Sequence, residues 1–210
     1  MGCDIHNTIE VNVNGKWSVV SEELGPKHWL SRVQKNDPDW DKASWSIERN
    51  YMLFGFLAGV RNDCFNPVGN NGLPNDISDE TKDKSDSWLG DAHSHGYITL
   101  TELIKARDSE TALVFGYVDL GGYMEYKENG YPKNWFQNCP YSWDEISLEE
   151  MDRLDNLYAF ADADAKIVCK ISFQYPVKEI DKSFFGRYID KMIALNNDPN
   201  NVRMIYWFDN

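Results

Sequence analysis

Three of the four histidines in this chain lie in two short segments that also carry aspartate. The segments read Asp4-Ile5-His6 and Asp91-Ala92-His93-Ser94-His95. In an extended strand, residues two apart share a face, so each segment would present its carboxylate and imidazole groups on one side. Imidazole and carboxylate together suit zinc or manganese, and a catalytic site needs about three protein ligands plus an open position for water. If the two segments meet in space, the predicted metal ligands are Asp4, His6, Asp91, His93 and His95.

The same histidines can also work without a metal. His93 and His95 would act as general base and general acid on a phosphodiester, with His6 as a further catalytic candidate. An arginine would steady the charge that develops in the transition state. Three arginines adjoin apolar segments and are the predicted ligand-binding residues: Arg49, Arg61 and Arg203. The structural alternatives stay open, namely an aspartate that only orients a histidine and an arginine that only pairs with a carboxylate.

The charge balance limits the class of ligand. The chain has 34 carboxylates against 21 Lys plus Arg, a formal net charge of -13. A field of this sign opposes tight non-specific binding of DNA or RNA, so bulk nucleic acid is not an expected partner. A small anionic nucleotide can still bind in a pocket lined by arginine, and a divalent cation would be attracted. The aromatic share of 14% can fill a core or stack on nucleobases.

The sequence predicts a cytoplasmic protein with no membrane partner. It contains no apolar run of about 18 residues, which a membrane-spanning helix would need. Its first residues lack a basic stretch followed by an apolar one, the pattern of a signal peptide. The oligomeric state does not follow from the sequence.

The elements that must position the histidines begin with a β-hairpin. Residues 3–13 alternate between apolar and polar side chains, Asn14-Gly15 favours a two-residue turn, and residues 16–20 suit a returning strand. A polar, tryptophan-containing surface excursion is predicted for residues 21–46. The apolar stretch 51–60 predicts a short buried helix, with Asn50 as its cap and Gly59 near its end.

A long loop is predicted at about residues 62–90, directly before Asp91. Loops of this length in a compact domain are usually functional lids or disordered. The remaining predictions are a helix starting near 101–106, strands at 112–118, 167–175 and 202–208, a turn-rich stretch at 123–135, and helices at 144–160 and 179–196. The resulting fold class is α+β: a single domain over residues 1–210, with a mixed or antiparallel sheet, an N-terminal β-hairpin, several helices and long loops.

Several motifs together resemble an uncharacterised family of bacteriophage proteins. They are Met1-Gly-Cys-Asp-Ile-His6, Arg49-Asn-Tyr51, Leu57-Ala-Gly-Val-Arg61-Asn62, Gly72-Leu-Pro74, Asp91-Ala-His-Ser-His95 and Trp207-Phe-Asp209. The resemblance spans nearly the whole chain and implies a phage protein acting in the cytoplasm of a host cell. Some relatives carry a further histidine where this chain has Thr8, so one possible metal ligand is absent here, which weakens the metal hypothesis.

Phage origin implies an anti-defence role, because small phage proteins with polar pockets often counter host immunity. The first hypothesis is a hydrolase, a phosphodiesterase with or without a divalent metal, that degrades a cyclic nucleotide signal of host immunity. The alternative is a non-catalytic sponge that binds and sequesters such a signal through aromatic and arginine side chains. A third option is inhibition of a host protein through the acidic surface. The sequence does not decide whether the protein is an enzyme.

Overall fold

The computed structural model describes residues 2–22, 45–61, 65–157 and 166–209. The chain divides into two compact units, Met1–Glu110 with Pro176–Asn210, and Thr111–Tyr175. Both units combine helices and strands, which confirms the α+β fold class. All predicted site residues belong to the first unit. The single-domain organisation stays a prediction.

The described residues form seven strands and six α-helices. The strands are β1 (Ile5–Val13), β2 (Lys16–Glu22), β3 (His93–Thr99), β4 (Thr111–Val118), β5 (Asp144–Glu145), β6 (Ile167–Pro176) and β7 (Val202–Phe208). The α-helices are α1 (Tyr51–Ala58), α2 (Asp79–Asp86), α3 (Leu100–Ser109), α4 (Leu120–Asn129), α5 (Leu148–Leu157) and α6 (Ile189–Ile193). The helix predicted at 179–196 takes the form of a π-helical segment, Ser183–Tyr188, followed directly by α6.

The first unit is built on an antiparallel sheet with the strand order β2-β1-β7-β3. The predicted N-terminal hairpin is confirmed: β1 and β2 pair with Val13 opposite Lys16. Asn14 and Gly15 both have positive φ, 55° and 83°, as a two-residue hairpin turn requires. The predicted strand at 202–208 is β7, which lies between β1 and β3 and is buried along its whole length.

Both faces of the central strands are covered. On one face lie the odd-numbered residues of β1 and the even-numbered residues of β7, and α1 packs there, with the Phe54 ring 5.1 Å from that of Phe208. The predicted caps of α1 are confirmed. The Asn50 side chain accepts hydrogen bonds from the first-turn backbone N–H groups, and Gly59 ends the helix at a φ of 69°.

The other face carries His6, Thr8 and Glu10 of β1 and is covered by α2. This corrects the loop predicted at 62–90, because α2 and a 3-10 helix, Leu89–Asp91, lie within it. The Ser78 side chain caps α2, and the hydroxyls of Thr81 and Thr8 hydrogen-bond at 3.0 Å. A polar helix is thus attached to the sheet by side-chain hydrogen bonds.

The second unit has its own small sheet, in the order β4-β6-β5, with β5 parallel to β6. The strands predicted at 112–118 and 167–175 are confirmed. The turn-rich prediction for 123–135 was wrong over its first half, which belongs to α4. The Asp119 side chain caps this helix by accepting a hydrogen bond from the Gly122 N–H at 2.7 Å.

Other predictions fall partly beyond the described residues. The surface excursion at 21–46 lies mostly in residues 23–44, outside the described ranges. The helix predicted at 144–160 begins later, at Leu148, as α5, because Asp144–Glu145 form the strand β5. Its last three predicted positions are not described. Within the described part of the chain, every helix is too short or too polar to cross a bilayer.

Candidate functional site

The two histidine segments meet at one end of the four-stranded sheet. β1 begins, β7 ends and β3 begins there, because Ile5 and His93 both pair with Phe208. We call this region the histidine end, defined as Asp4, His6, His93, His95 and Asp209. The two strands that carry the histidines, β1 and β3, are both hydrogen-bonded to β7, which lies between them.

His6 is fixed and enclosed. Only 1% of the residue is exposed, and its Nε2 lies 3.3 Å from Asp209 Oδ2. The Trp88 ring, just after α2, lies 4.0 Å from the imidazole, and the Trp207 ring lies 6.1 Å away in a stacked orientation. The other carboxylate oxygen of Asp209 accepts a hydrogen bond from the Asp4 backbone N–H at 2.8 Å. Asp209 therefore orients the His6 ring and ties the start of β1 to the end of β7.

A β-bulge changes the predicted geometry of the second segment. His93 pairs with Phe208 and Gly96 pairs with Tyr206, so two residues of β3 stand opposite Trp207 alone. Ser94, the first of the two, has a φ of 48°, a conformation that glycine usually takes in such bulges. The extra residue shifts the alternation of side chains by one position.

His93 and His95 consequently do not share a face, which corrects the prediction that they project together. The His95 ring stacks with Trp207, at 6.4 Å, whereas the His93 ring stacks with Phe208, at 6.1 Å. Neighbouring residues of a strand point to opposite sides of the sheet. His95 thus lies on the face of His6, and His93 lies on the face packed by α1.

His95 is in a state suited to accept a proton. It is partly buried, and burial lowers the pKa of its imidazole, with a smaller lowering by His93. The carboxylate of Asp86, at the end of α2, opposes this shift without cancelling it. Because the pKa falls below the ordinary value of 6.5, the ring is uncharged at neutral pH.

Two buried polar atoms at this end have no hydrogen-bond partner among the described residues: His93 Nε2 and Trp207 Nε1. The other ring nitrogen of His93, Nδ1, lies 2.9 Å from Ser94 Oγ. Unpaired buried polar atoms are rare in folded proteins and often mark the place of a water or a ligand. They therefore support a binding site at the histidine end.

Two of the three predicted arginines also lie near the start of β1. Arg49 donates to both carboxylate oxygens of Asp4, at 2.9 and 2.7 Å, and this hydrogen bonding raises the pKa of its guanidinium. Arg61 hydrogen-bonds the buried Cys3 thiol; burial nevertheless raises the pKa of that thiol. The Arg49 side chain keeps 45% of its surface exposed, so it can still reach an anion.

Arg203 lies elsewhere. It is four residues from Trp207 along β7, roughly 13 Å at the rise of an antiparallel strand. Its side chain is 4% exposed and pairs with the fully buried Glu10 at 2.8 Å, and a further nitrogen donates to Asp76 at 2.7 Å. Arg203 therefore joins the sheet to the segment before α2 through its ion pairs with Glu10 and Asp76. Nothing in its placement favours the predicted role in ligand binding.

The predicted metal ligands are only partly brought together. Asp91 is exposed in the 3-10 helix before β3, so it does not share a strand face with the histidines. Asp4 is engaged by Arg49, and His93 lies on the face opposite His6 and His95. Within the described ranges, no group of three or more His, Cys, Asp or Glu side chains has the arrangement of a metal site. The zinc or manganese hypothesis stays a prediction.

Sequence reasoning missed Asp209, Trp88 and Trp207 as parts of this site. Trp207 and Asp209 follow an apolar strand, and nothing local signals that this strand pairs with β1. A faint signal existed for Trp88, because it ends a polar run that leads directly into the Asp91 segment. The positive φ of Ser94 has no signal in its residue type, since glycine is the usual residue in that conformation.

No family model matches this chain, and no curated protein or solved structure matches it either. Its function is therefore inferred from the geometry of its own residues. The resemblance to bacteriophage proteins stays a prediction.

Proposed function

We propose that this protein is a hydrolase that cleaves a phosphodiester bond in a small nucleotide at the histidine end. The observation that carries the proposal is His95: it is partly buried beside Trp207, and its lowered pKa leaves the ring unprotonated at neutral pH. A neutral imidazole is the usual general base of hydrolases. His95 accepts the proton of the attacking water.

His6 has a different role from the one predicted for it. β7 lies between β1 and β3, so the rings of His6 and His95 are separated by roughly 10 Å, twice the spacing of neighbouring strands. One phosphodiester does not contact both. His6, held by Asp209, instead supports the Trp88 ring that covers it, and the proton transfer belongs to His95.

The preference for a small nucleotide has two supports. Trp88 is half-buried and offers a ring face to a nucleobase, since stacking on an aromatic side chain tolerates any base. Arg49 and Arg61, near the start of β1, supply positive charge for a phosphate. The net charge of -13 disfavours a long nucleic acid, whose phosphates would meet the acidic surface as a whole.

The experiment uses purified full-length protein and a panel of cyclic mono- and dinucleotides. After incubation, the protein is heat-denatured and the nucleotide is analysed by chromatography. Linear product in at least one reaction supports the hydrolase. His95→Gln is expected to slow cleavage about 100-fold or more, the usual contribution of a general base. Lys170→Gln, an exposed change on β6, is the matched control and should cleave like the unaltered protein.

A non-catalytic sponge is the second candidate, favoured by the enclosure of His6. A ring that is 1% exposed, covered by Trp88 and bonded to Asp209, suits a rigid binding wall better than a reacting group. In the same experiment, intact nucleotide that stays bound until heating supports the sponge and excludes cleavage of that nucleotide. Metal analysis of the sample after supplementation with Zn²⁺ or Mn²⁺ tests the metal hypothesis, which a metal-free protein would overturn.

A further inference from the structure

Ser94 and His93 form a hydrogen-bonded pair at the start of β3, with Ser94 Oγ 2.9 Å from His93 Nδ1. We propose that Ser94 is the nucleophile of this protein and that His93 is the base that activates it. The inference rests on the proposed hydrolase function and deepens it, because it replaces direct attack by water with a covalent serine intermediate.

The pair exists only because of the β-bulge. In a regular strand, neighbouring residues point to opposite faces and their side chains do not meet. The positive φ of Ser94, 48°, breaks this alternation and turns its hydroxyl beside the imidazole of the preceding residue. Backbone strain of this kind occurs at sites where a side chain must be presented in a particular direction, as for the nucleophilic serine of many hydrolases.

The two ring nitrogens of His93 have different surroundings, and these fit the role of a base that accepts the Ser94 proton. A neutral imidazole carries one proton; if the Ser94 hydroxyl donates to Nδ1, that proton is on Nε2. Nε2 is buried without a hydrogen-bond partner among the described residues. With its proton on Nε2, the ring leaves Nδ1 to accept the proton of Ser94.

The surroundings of Ser94 distinguish it from other serines of the first unit. Ser87 and Ser109 donate to the backbone carbonyls of Lys84 and Lys105, which is a local structural use. Ser94 instead bonds an imidazole, is only partly buried, and lies on β3, an outer strand of the sheet.

The reaction proceeds in two balanced steps. In the first, the Ser94 hydroxyl gives its proton to His93 Nδ1, Oγ forms a bond to phosphorus, and the bond from phosphorus to the leaving oxygen breaks. His93 releases its proton to solvent, and the leaving alcohol takes one from solvent. In the second step, water gives a proton to His95 and attacks phosphorus, and the Oγ–phosphorus bond breaks. His95 then releases that proton to solvent, and Ser94 Oγ takes one from solvent, which restores both groups.

A fluorophosphonate probe tests the nucleophile without knowledge of the substrate. Attack by an activated serine displaces fluoride and leaves the phosphonyl group on Oγ, which peptide mass spectrometry locates. The unaltered protein is expected to be labelled at Ser94, and Ser94→Ala and Ser94→Gly to lose the label. Glycine tolerates the positive φ, so the second variant keeps the bulge if alanine disturbs it. His93→Gln should slow labelling about 100-fold, the usual loss on removing a general base.

Ser109→Ala is the matched control and should be labelled like the unaltered protein. Absence of label at Ser94, or label retained in both Ser94 variants, overturns the proposal. Label at Ser94 without cleavage of any nucleotide keeps the nucleophile and overturns the nucleotide substrate. Nucleotide cleavage that is undiminished in Ser94→Gly keeps the hydrolase and overturns the nucleophile.

Discussion

His93 and His95 lie on opposite faces of the sheet although a single residue separates them. His95 stacks with Trp207 beneath the segment that contains α2, and His93 stacks with Phe208 on the face packed by α1. The two imidazoles thus have different surroundings, and a ligand that contacts both must reach around the outer strand β3. They are not interchangeable members of one cluster.

The bulge that separates them is expected to depend on the residue at position 94. Ser94→Gly should leave the free energy of unfolding nearly unchanged or raise it, because glycine takes a positive φ without steric cost. Ser94→Val should lower it by about 1–3 kcal/mol, since a β-branched residue is strained there. Urea unfolding followed by circular dichroism measures both. Equal stability of the two variants would contradict the strained conformation.

The free energy of unfolding should decrease as the pH falls below neutral, because His95 is harder to protonate in the folded protein than in the unfolded chain. Its pKa in the folded protein lies below 6.5, so the unfolded chain binds the proton more readily. The stabilisation is therefore present above about pH 6.5 and is lost as the pH falls through the lowered value. We expect His95→Gln to lose less free energy of unfolding than the unaltered protein between about pH 7.5 and about pH 5. Identical pH profiles from urea titrations would contradict the shift.

The buried pair of Glu10 and Arg203 should show strong coupling. Arg203→Met leaves a buried carboxylate without its partner and is expected to cost about 3–5 kcal/mol. Adding Glu10→Met should restore part of that loss, because no unpaired charge then remains buried. Chemical denaturation of the single and double variants measures the coupling. Arg153→Met, at an exposed pair, is the control and should change stability by less than about 0.5 kcal/mol. Additive losses would argue against the pair.

Removing the Trp88 ring should expose the imidazole of His6 to solvent. In the unaltered protein we expect diethyl pyrocarbonate to modify His95 and to spare His6, which is 1% exposed. Trp88→Ala removes the ring that lies 4.0 Å from His6, so modification of His6 should rise while that of His95 changes less. Peptide mass spectrometry gives both rates. Trp143→Ala, in the second unit, is the control. If both variants increased the modification of His6 equally, the cause would be a general loss of stability and not the removal of the Trp88 ring.

Local patterns in the sequence were enough to predict most strands and the first helix. The hairpin follows from a period of two and from Asn14-Gly15, and α1 follows from an apolar run with Asn50 and Gly59 at its ends. Such features depend on residues close together in the chain, so they can be read without knowledge of the fold. The concentration of histidine in two segments was equally visible.

The polar helix α2 and the glycine-containing helix α4 were not predictable in this way. α2 has no apolar stripe. The hydrogen bonds that attach it and its cap Ser78 to Thr8 and Glu10 of β1 span 73 and 68 residues of the chain. In α4, Gly121-Gly122 favours a turn, and the cap from Asp119 outweighs that tendency. Both helices depend on contacts that composition does not reveal.

The sequence by itself therefore determined which residue types could do chemistry and that one of the two segments lies at the start of the first strand. That the other segment begins a strand, β3, was decided by the fold. Only the tertiary structure decided on which face of the sheet each of these side chains lies. The pairing of β1 with β7 brings Asp209 to His6 across 203 positions of the chain, and no local pattern encodes that pairing. One extra residue at Ser94 then moves His93 to the other face, because side-chain direction in a strand has a period of two.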